Sequence, residues 1–262
     1  MEDRIILIDK PAGISSFGVV SKVRGKLRAD SQHKVKVGHT GTLDPFATGL
    51  LILLSGKMTK KSNEFLKLDK VYEATLKFGY VSSTGDPEGE IIPYVLDGVL
   101  DGGLGEGFGE GLGGGISEGL GEDLRGGLRE SFSEERKAPS LEEIEGVLGK
   151  FLGEIQQTVP RFSAVKINGE RAYKLARRGE EPVMPTRNVT IYSLEILSYN
   201  YPELKLRCHV SSGTYIRALA EDIGKELGVG AYLTALRRIK VGEYEVKDAV
   251  ELGRYLKIDQ NR

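Results

Sequence analysis

A mixed α+β fold is compatible with the sequence, in which strand-like and helix-like segments follow one another along the chain. Residues 71–80 alternate between apolar and polar side chains, which predicts a strand with one buried face. Ser140 and Glu143 have the spacing of a capping box, which predicts the start of a helix. The apolar positions on one side of that helix are Leu141, Ile144, Val147, Leu148, Phe151 and Leu152.

Shorter patterns predict the other elements. Residues 4–9 predict a buried strand, and Ser15 or Ser16 can cap the helix that follows it. The apolar positions of that helix are Phe17, Val20, Val23 and Leu27. The remaining predictions are a strand at 50–54, a surface helix at 59–68, a turn at 84–90, strands at 188–198 and 203–211, a helix burying Ile216, Leu219, Ala220 and Ile223 and ending near Gly228, and a segment Tyr232–Arg238 leading into a strand and a short terminal helix.

Length and composition exclude several classes of protein. The 262 residues suffice for one large domain or two modest ones, and 39% apolar with 29% charged residues is typical of soluble globular proteins. No apolar run approaches the roughly 18 residues of a membrane span, and the N-terminus fits no signal or transit peptide. One cysteine and three histidines argue against a disulfide framework and a zinc site. We therefore expect a cytoplasmic protein without bound metal.

The net charge of −1 conceals an asymmetry. Residues 97–135 carry ten acidic side chains and two arginines, so the remainder of the chain is positive and suited to a polyanion such as RNA. Within 98–135 an apolar residue recurs every fourth position among many glycines, a period that drifts away from the 3.6-residue turn of a helix. We expect a disordered loop. The alternative is a partner-binding or autoinhibitory tail that competes with RNA.

Asp44 lies between a glycine-containing turn and a proline. Gly38 and Gly41 can adopt positive φ, and Pro45 biases Asp44 towards an extended conformation. The carboxylate is therefore expected on a tight loop beside the apolar run 50–54. From these residues alone, an ordinary Asp-Pro turn that serves only the backbone is equally compatible.

Other side chains also allow two interpretations. Lys10, before a proline, is either a phosphate contact or a solvated lysine, and Tyr72 is by itself best explained as a core aromatic. Arg217 lies on an otherwise apolar segment and needs an acceptor, which a structural salt bridge or a catalytic carboxylate would supply. Cys208 belongs to an apolar alternation and is expected in the core. The six basic residues between 161 and 178, with Phe162 and Tyr173 among them, favour RNA contact over a solvated helix face.

Six motifs, taken together, are far more specific than any of these patterns. They are Lys10-Pro11-Ala12-Gly13, Gly38-His39-Thr40-Gly41-Thr42-Leu43-Asp44-Pro45, Lys70-Val71-Tyr72, Ser163-Ala164-Val165-Lys166, Gly213-Thr214-Tyr215-Ile216-Arg217 and Leu236-Arg237-Arg238. In this order they resemble the tRNA pseudouridine-55 synthase (synthase B) family, and they span almost the whole chain apart from the glycine-rich segment.

The resemblance implies the α+β pseudouridine synthase fold, a mixed and mainly antiparallel sheet with flanking helices and a central catalytic cleft. It implies isomerisation of the uridine at position 55, in the T-loop of tRNA, by breaking the C1′–N1 bond and forming a C1′–C5 bond. The base must leave the stack, so the enzyme binds a flipped nucleotide. The reaction requires neither cofactor nor metal. We expect a monomer that binds the T-arm without an obligatory protein partner or a membrane.

The resemblance also implies residue roles. Asp44 is the nucleophile, attacking either the base or the ribose carbon, and Arg217 keeps it ionised and aimed. Tyr72 stacks on the flipped uracil near C5, from which a proton must be removed. The other expected substrate-binding residues are Tyr215 lining the pocket, Leu236 walling its apolar side, His39 filling the space that the base vacates, and Lys10.

The expected organisation has three parts. Residues 1–96 form the first part of the catalytic domain, 97–137 the acidic insertion, and 138–262 the second part, with an RNA-gripping thumb at about 150–180. We expect a full C-terminal RNA-binding domain to be absent, which disfavours the nearest alternative, a related synthase acting on ribosomal or other RNA. A non-catalytic tRNA-binding chaperone is the alternative from another class, although binding alone does not need Asp44, Tyr72 and Arg217 together.

We predict that deletion of residues 98–135 leaves turnover largely intact, because a low-complexity acidic segment contributes little to a packed core. Tritium release from labelled tRNA would measure the turnover, and circular dichroism the folding. Loss of either in the deletion variant would contradict the prediction.

Overall fold

The computed structural model describes residues 3–95 and 138–257, so the prediction for 97–137 lies outside the described residues. In its first range the strands are β1 (Ile5–Lys10), β2 (Val37–His39), β3 (Thr48–Ser55), β4 (Lys70–Phe78), β5 (Tyr80–Ser82) and β6 (Ile91–Pro93), and the helices are α1 (Ser16–Ser31), a 3₁₀ helix (Gly56–Lys61) and α2 (Ser62–Leu66).

The second range begins with α3 (Leu141–Lys150) and ends with α6 (Leu252–Lys257). Between them lie β7 (Gly153–Thr158), β8 (Lys166–Ile167), β9 (Glu170–Arg171), α4 (Ala172–Arg177), β10 (Thr186–Asn200), β11 (Glu203–Val210), α5 (Ile216–Glu226), β12 (Ala231–Val241), β13 (Tyr244–Glu245), a 3₁₀ helix (Val246–Asp248) and β14 (Val250–Glu251). None of the helices in the described ranges is long and apolar enough to cross a membrane.

The main sheet of the described chain has ten strands, eight of them in the order β14-β1-β3-β12-β4-β11-β10-β7. The pairs β1–β14 and β3–β12 are parallel and the other pairs are antiparallel. The strand β12 lies between β3 and β4, although these two are close in the sequence. The fold is therefore mixed α+β with a mainly antiparallel sheet, as expected.

Apolar side chains cover both faces of β3. Leu51 and Leu53 belong to the main core, to which α1, α3, α5 and α6 also contribute buried side chains. Leu50, Ile52 and Leu54 belong to a second core beneath α2. Burial on both faces explains why residues 50–54 form a continuous apolar run instead of an alternation.

Most of the predicted elements are present. Ser140 and Glu143 make the capping box that opens α3, Ser15 caps α1, and α5 buries the four apolar residues predicted for it. Cys208 is buried in the core, where burial raises the pKa of its thiol to about 12. These features depend on local spacing, which the sequence displays directly.

Some boundaries and burial predictions were wrong. The strand predicted to reach Tyr80 ends at Phe78, because Gly79 adopts a positive φ of 86°. The helix predicted at 59–68 is a 3₁₀ turn followed by α2, which buries only Phe65. Three apolar residues assigned to helix core faces are exposed: Phe17, Leu141 and Leu152.

The segment Tyr232–Arg238 does not precede a strand but forms much of β12. Its pairing with β4 contains register shifts between Leu233 and Ala235 and between Arg238 and Lys240. Each shift reverses the faces on which the following side chains lie, so the sequence of this strand shows no simple alternation.

We predict that Gly49→Ala lowers the free energy of unfolding by at least about 2 kcal/mol, because Gly49 has a φ of 102° and a Cβ would collide with the Arg238 backbone. Gly146→Ala, on α3 where a Cβ meets no neighbour within 4 Å, should instead be neutral or stabilise by up to about 1 kcal/mol. Urea denaturation would measure both. Equal effects of the two substitutions would contradict this account.

Candidate active site

The loop of residues 40–47, which we call the Asp44 loop, joins β2 to β3. A turn bond from Ala47 N to Asp44 O spans 3.1 Å, so the Asp-Pro turn is present. The Ser16 hydroxyl bonds both Leu43 backbone groups, donating to the carbonyl at 2.9 Å and accepting from the amide at 2.8 Å. Of the two glycines expected to adopt positive φ, only Gly41 does so, at 134°.

Two buried cations hold the loop by binding carbonyl groups of the loop and of the segments beside it. The Lys10 ammonium donates to Pro11 O (2.9 Å), Ile14 O (2.7 Å) and Pro45 O (3.1 Å). Arg238 donates to Leu50 O, Thr42 O and Gly41 O at 2.8, 3.5 and 3.2 Å. Because both side chains are almost fully buried, these bonds fix the backbone on either side of Asp44.

Arg217 lies near the start of α5. The sequence analysis predicted that its guanidinium needs a hydrogen-bond acceptor. Its Nε lies 3.0 Å from Asp44 Oδ2, and its Nη1 lies 3.3 Å from Asp86 Oδ2. The same guanidinium donates to Thr84 O at 2.6 Å and to Phe162 O at 3.0 Å. Its side chain is only 4% exposed, whereas that of Asp44 is 32% exposed. Arg217 is thus a buried support, and the carboxylate of Asp44 remains accessible.

Asp86 is the second carboxylate on this guanidinium. Its Oδ1 accepts from Thr84 Oγ1 at 2.5 Å and from Glu88 N at 3.0 Å, while Oδ2 faces Arg217. Sequence reasoning assigned this residue only to a turn. The available signal was that Asp86, like Asp44, precedes a proline.

Burial changes the protonation behaviour of the site. It raises the pKa of the Asp44 carboxyl above its usual value, and the opposing effect of Arg217 only partly offsets this. It lowers the pKa of Lys10 to about 8, against the attraction of Asp44. It also lowers the pKa of His39, as does the nearby charge of Arg238.

A cleft of about 710 Å³ opens over Asp44, within the usual size range of small-molecule sites. Tyr72, Tyr215 and Leu236 line it together with Asp44 and Arg217. The cleft also receives Phe162, Tyr173 and Arg177 from the predicted thumb. The sequence-predicted residues of the pocket wall are therefore brought to one place.

Two residues of the predicted set do not line this cleft. Lys10 is 0% exposed and its ammonium bonds three carbonyls, so in this conformation it presents no surface to a phosphate. The alternative of a solvated lysine is also wrong. His39 is at the end of β2, where its Nδ1 has no hydrogen-bond partner among the described residues.

The sequence analysis gave no role to Gln157, and it named Ser163 only as part of a family motif. Gln157 is buried, accepts from Tyr215 N at 2.8 Å and donates to Tyr215 O at 3.0 Å, so it anchors the residue that caps α5. Ser163 lines the cleft, is 5% exposed, and has a hydroxyl without a partner among the described residues. A long-range contact reveals Gln157, whereas the motif already marked Ser163 and its position in the cleft is what the structure adds.

Part of the positive charge of the predicted thumb is used internally. Arg178 pairs with Glu170 at 2.9 Å and with Glu180 at 2.7 Å, and Arg161 pairs with Glu181 at 2.5 Å. Arg177 instead lies 5.7 Å from the Tyr173 ring, where its charge is not cancelled. In the described ranges, no group of three or more His, Cys, Asp or Glu side chains is placed to hold a metal ion.

Solved structures support the fold assignment. The chain aligns with a Cbf5-Nop10-Gar1 complex structure with a TM-score of 0.60 and 24% identity, and with the structure of an H/ACA ribonucleoprotein bound to substrate RNA with a TM-score of 0.59 and 22% identity. These alignments cover 95% of this chain and 52% and 51% of those chains, so the chain spans about half their length.

Sequence comparison supports closer relationships. Residues 28–99 and 121–216 match the N-terminal domain of the TruB family pseudouridylate synthases, and residues 217–258 match the C-terminal domain of tRNA pseudouridylate synthase B. The chain is 41% identical to tRNA pseudouridine synthase B of Aquifex aeolicus, over 97% of this chain and 74% of that protein. It is 37% identical to the protein of that name in Phocaeicola vulgatus, over 96% and 91%. The chain therefore belongs to the TruB family of pseudouridylate synthases.

Proposed function

We propose that this chain isomerises uridine to pseudouridine in tRNA, at position 55 of the T-loop. The observation that carries the proposal is the pairing of a partly exposed carboxylate, Asp44, with a buried guanidinium, Arg217, at 3.0 Å in a cleft lined by aromatic residues. Family membership supports the reaction, and the size of the cleft suits a single extruded nucleotide.

Asp44 acts as the nucleophile. Because only the ionised carboxylate can form the covalent intermediate, the upward effect of burial on its pKa must be opposed, and Arg217 supplies the opposing charge. Asp44 forms a covalent bond either to the base or to C1′ of the ribose, the C1′–N1 bond breaks, and the base reorients. A C1′–C5 bond then forms and the bond to Asp44 breaks, which restores the free carboxylate. The proton of C5 is then removed and N1 gains a proton, so the product is an isomer of the substrate.

The cleft walls orient the base. Tyr72 is 8% exposed and offers a ring face on which uracil stacks near C5. Leu236 provides an apolar wall that excludes water. Tyr215, whose backbone is anchored by Gln157, lines the same space with the Arg187 guanidinium 5.2 Å from its ring centre.

Three residues position Asp44 through its backbone or through its partner Arg217. Lys10 and Arg238 bind loop carbonyls, and Asp86 holds the far side of the Arg217 guanidinium. A nucleophile on a loop fixed at several points needs little rearrangement before it attacks. We therefore reassign Lys10 from a phosphate contact to a loop support.

The same proposal specifies the physiological partners. The RNA-gripping thumb, with Tyr173 and Arg177 facing the cleft, contacts the nucleotides around the target. The protein acts in the cytoplasm as a monomer, on tRNA alone, without a guide RNA or an obligatory protein partner.

Tritium release from unmodified, [5-³H]uridine-labelled tRNA transcripts tests this function, with chemical mapping of the modified position. Release confined to the T-loop uridine, with no guide RNA or second protein added, is the expected result. Release from another RNA only would retain the chemistry and change the target. Binding without release would favour the chaperone alternative.

We predict that Asp44→Asn lowers single-turnover isomerisation by at least about a thousandfold, because an amide is a poor nucleophile, while RNA binding and folding persist. Asp9→Asn is the matched control, since Asp9 pairs with Arg237 and does not line the cleft. It should retain most of the activity. Substantial isomerisation by Asp44→Asn would sink the assignment of the nucleophile.

We also predict an acid limb in the pH–rate profile, because activity is lost as pH falls through the pKa of Asp44 and its carboxyl becomes protonated. Since that pKa is raised, the loss begins at a higher pH than for an ordinary aspartate. Arg217→Gln removes the charge that lowers this pKa, so the midpoint should move to a higher pH than in the unmodified protein.

The control for this measurement is Arg207→Gln, because Arg207 pairs with Glu73 and Glu195 and does not line the cleft. Its midpoint should match that of the unmodified protein. An unchanged midpoint in Arg217→Gln would show that this guanidinium does not control the ionisation of Asp44.

A further inference from the structure

A second groove, of about 690 Å³, lies outside the catalytic cleft and shares no lining residue with it. One side is formed by α1, and the other by residues 34–38 and Thr59. We call it the basic groove, because its lining includes Arg24, Arg28, Lys34 and Lys36 and no acidic residue. Nothing in the proposed reaction uses it.

The stripe of α1 that faces the groove has helical spacing. Ser21, Arg24, Gly25 and Arg28 recur at intervals of three and four residues, and the buried positions Val20, Val23 and Leu27 occupy the core side. Gly25 leaves the middle of the stripe open, since a Cβ there would meet no atom within 4 Å. The helix therefore presents two arginines and an unfilled position to the same groove.

The positive charge of this groove is not cancelled. None of its four basic side chains makes an ion pair within residues 3–95 and 138–257. Arg24 lies 6.0 Å from the Phe17 ring, a contact that leaves its charge intact. Arg28 is in the last turn of α1 and also suits the helix dipole, but that role does not explain the other three.

The groove is connected to the catalytic loop by the backbone. Val37 and Gly38 of β2 line the groove, and Gly41 and Thr42, shortly after them in the chain, line the catalytic cleft. Because these residues are neighbours in the chain, an RNA whose target nucleotide enters the cleft can also reach the groove. The four basic side chains of the groove have no acidic partner among the described residues. They are suited to binding phosphate groups, because guanidinium and ammonium groups bind phosphates.

We infer that the basic groove binds the phosphodiester backbone of the tRNA at a point separate from the flipped nucleotide. This inference rests on the proposed function, and it names a second contact by which the substrate is held. The groove contributes affinity and orientation, and it takes no part in the chemical step. Its ligand is RNA backbone, whether that of the T-arm stem or of another arm of the same molecule.

The first test compares Arg24→Gln/Arg28→Gln with Lys22→Gln by filter binding to an unmodified tRNA transcript over a range of salt concentrations. Lys22 is an exposed cation on the same helix that does not line the groove. The double variant should raise Kd by about tenfold and reduce the slope of log K against log salt by about 1 to 2. Turnover at saturating tRNA should be unchanged.

A second test adds charge instead of removing it. Gly25→Glu places a carboxylate in the open part of the groove without deleting any contact, and it improves the helix propensity of α1. Gly25→Gln introduces a side chain of the same size without charge. Gly25→Glu should weaken tRNA binding at least fivefold more than Gly25→Gln, and the difference should shrink at high salt.

The outcomes separate this inference from the proposed function. Filter binding needs no turnover, so loss of affinity in the groove variants supports the groove even if no tRNA is isomerised. Equal losses for an isolated T-arm stem-loop and full-length tRNA would assign the contact to the T-arm, and a loss for full-length tRNA alone would assign it to another arm. Unchanged Kd and salt slope, or an equal effect of Lys22→Gln, would overturn the inference and leave an acidic protein as the candidate ligand.

Discussion

The burial of one guanidinium group constrains the whole active site. Arg217 is held by carboxylates from two loops, Asp44 and Asp86, and by the Thr84 and Phe162 carbonyls. Removing one partner of a buried ion pair typically costs about 3–5 kcal/mol. The free energy of unfolding of a whole domain is only about 5–15 kcal/mol, so this cost is a large fraction of it. The Asp44 loop, the turn at 82–90, the base of the thumb and α5 must therefore meet at one point for this cation to be satisfied.

Arg238 and Lys10 contribute differently from Arg217. Their bonds go to backbone carbonyls, which fix the path of the Asp44 loop and leave its carboxylate free. Among the described residues, the cation at ion-pair distance from the Asp44 and Asp86 carboxylates is Arg217. The geometry of the loop and the ionisation of Asp44 thus depend on separate cations, so a substitution can disturb one and spare the other.

The sequence predicts those structural features that depend on residues close together in the chain. It does not predict the features that depend on contacts between residues far apart in the chain. The capping box of α3 and the alternation of β4 are local, and both are present. The need of Arg217 for an acceptor followed from its apolar surroundings, but its pairing with Asp86 joins residues 131 positions apart. The burial of Lys10 was not predicted for the same reason. A lysine before a proline does not indicate in the sequence that its ammonium group will bind three backbone carbonyls.

The position of β12 in the sheet affects the order in which the protein can fold during synthesis. Strands β3 and β4 emerge early in synthesis, yet the space between them belongs to a strand that begins at Ala231. That strand also carries Arg238, which holds the Asp44 loop. A nascent chain therefore contains Asp44 long before it contains the strand that completes the sheet, so the Asp44 loop is not yet held by Arg238 when it is first synthesised. Such non-local closure is intrinsically slow, so we expect the Asp44 loop to be among the last parts of the described structure to become fixed.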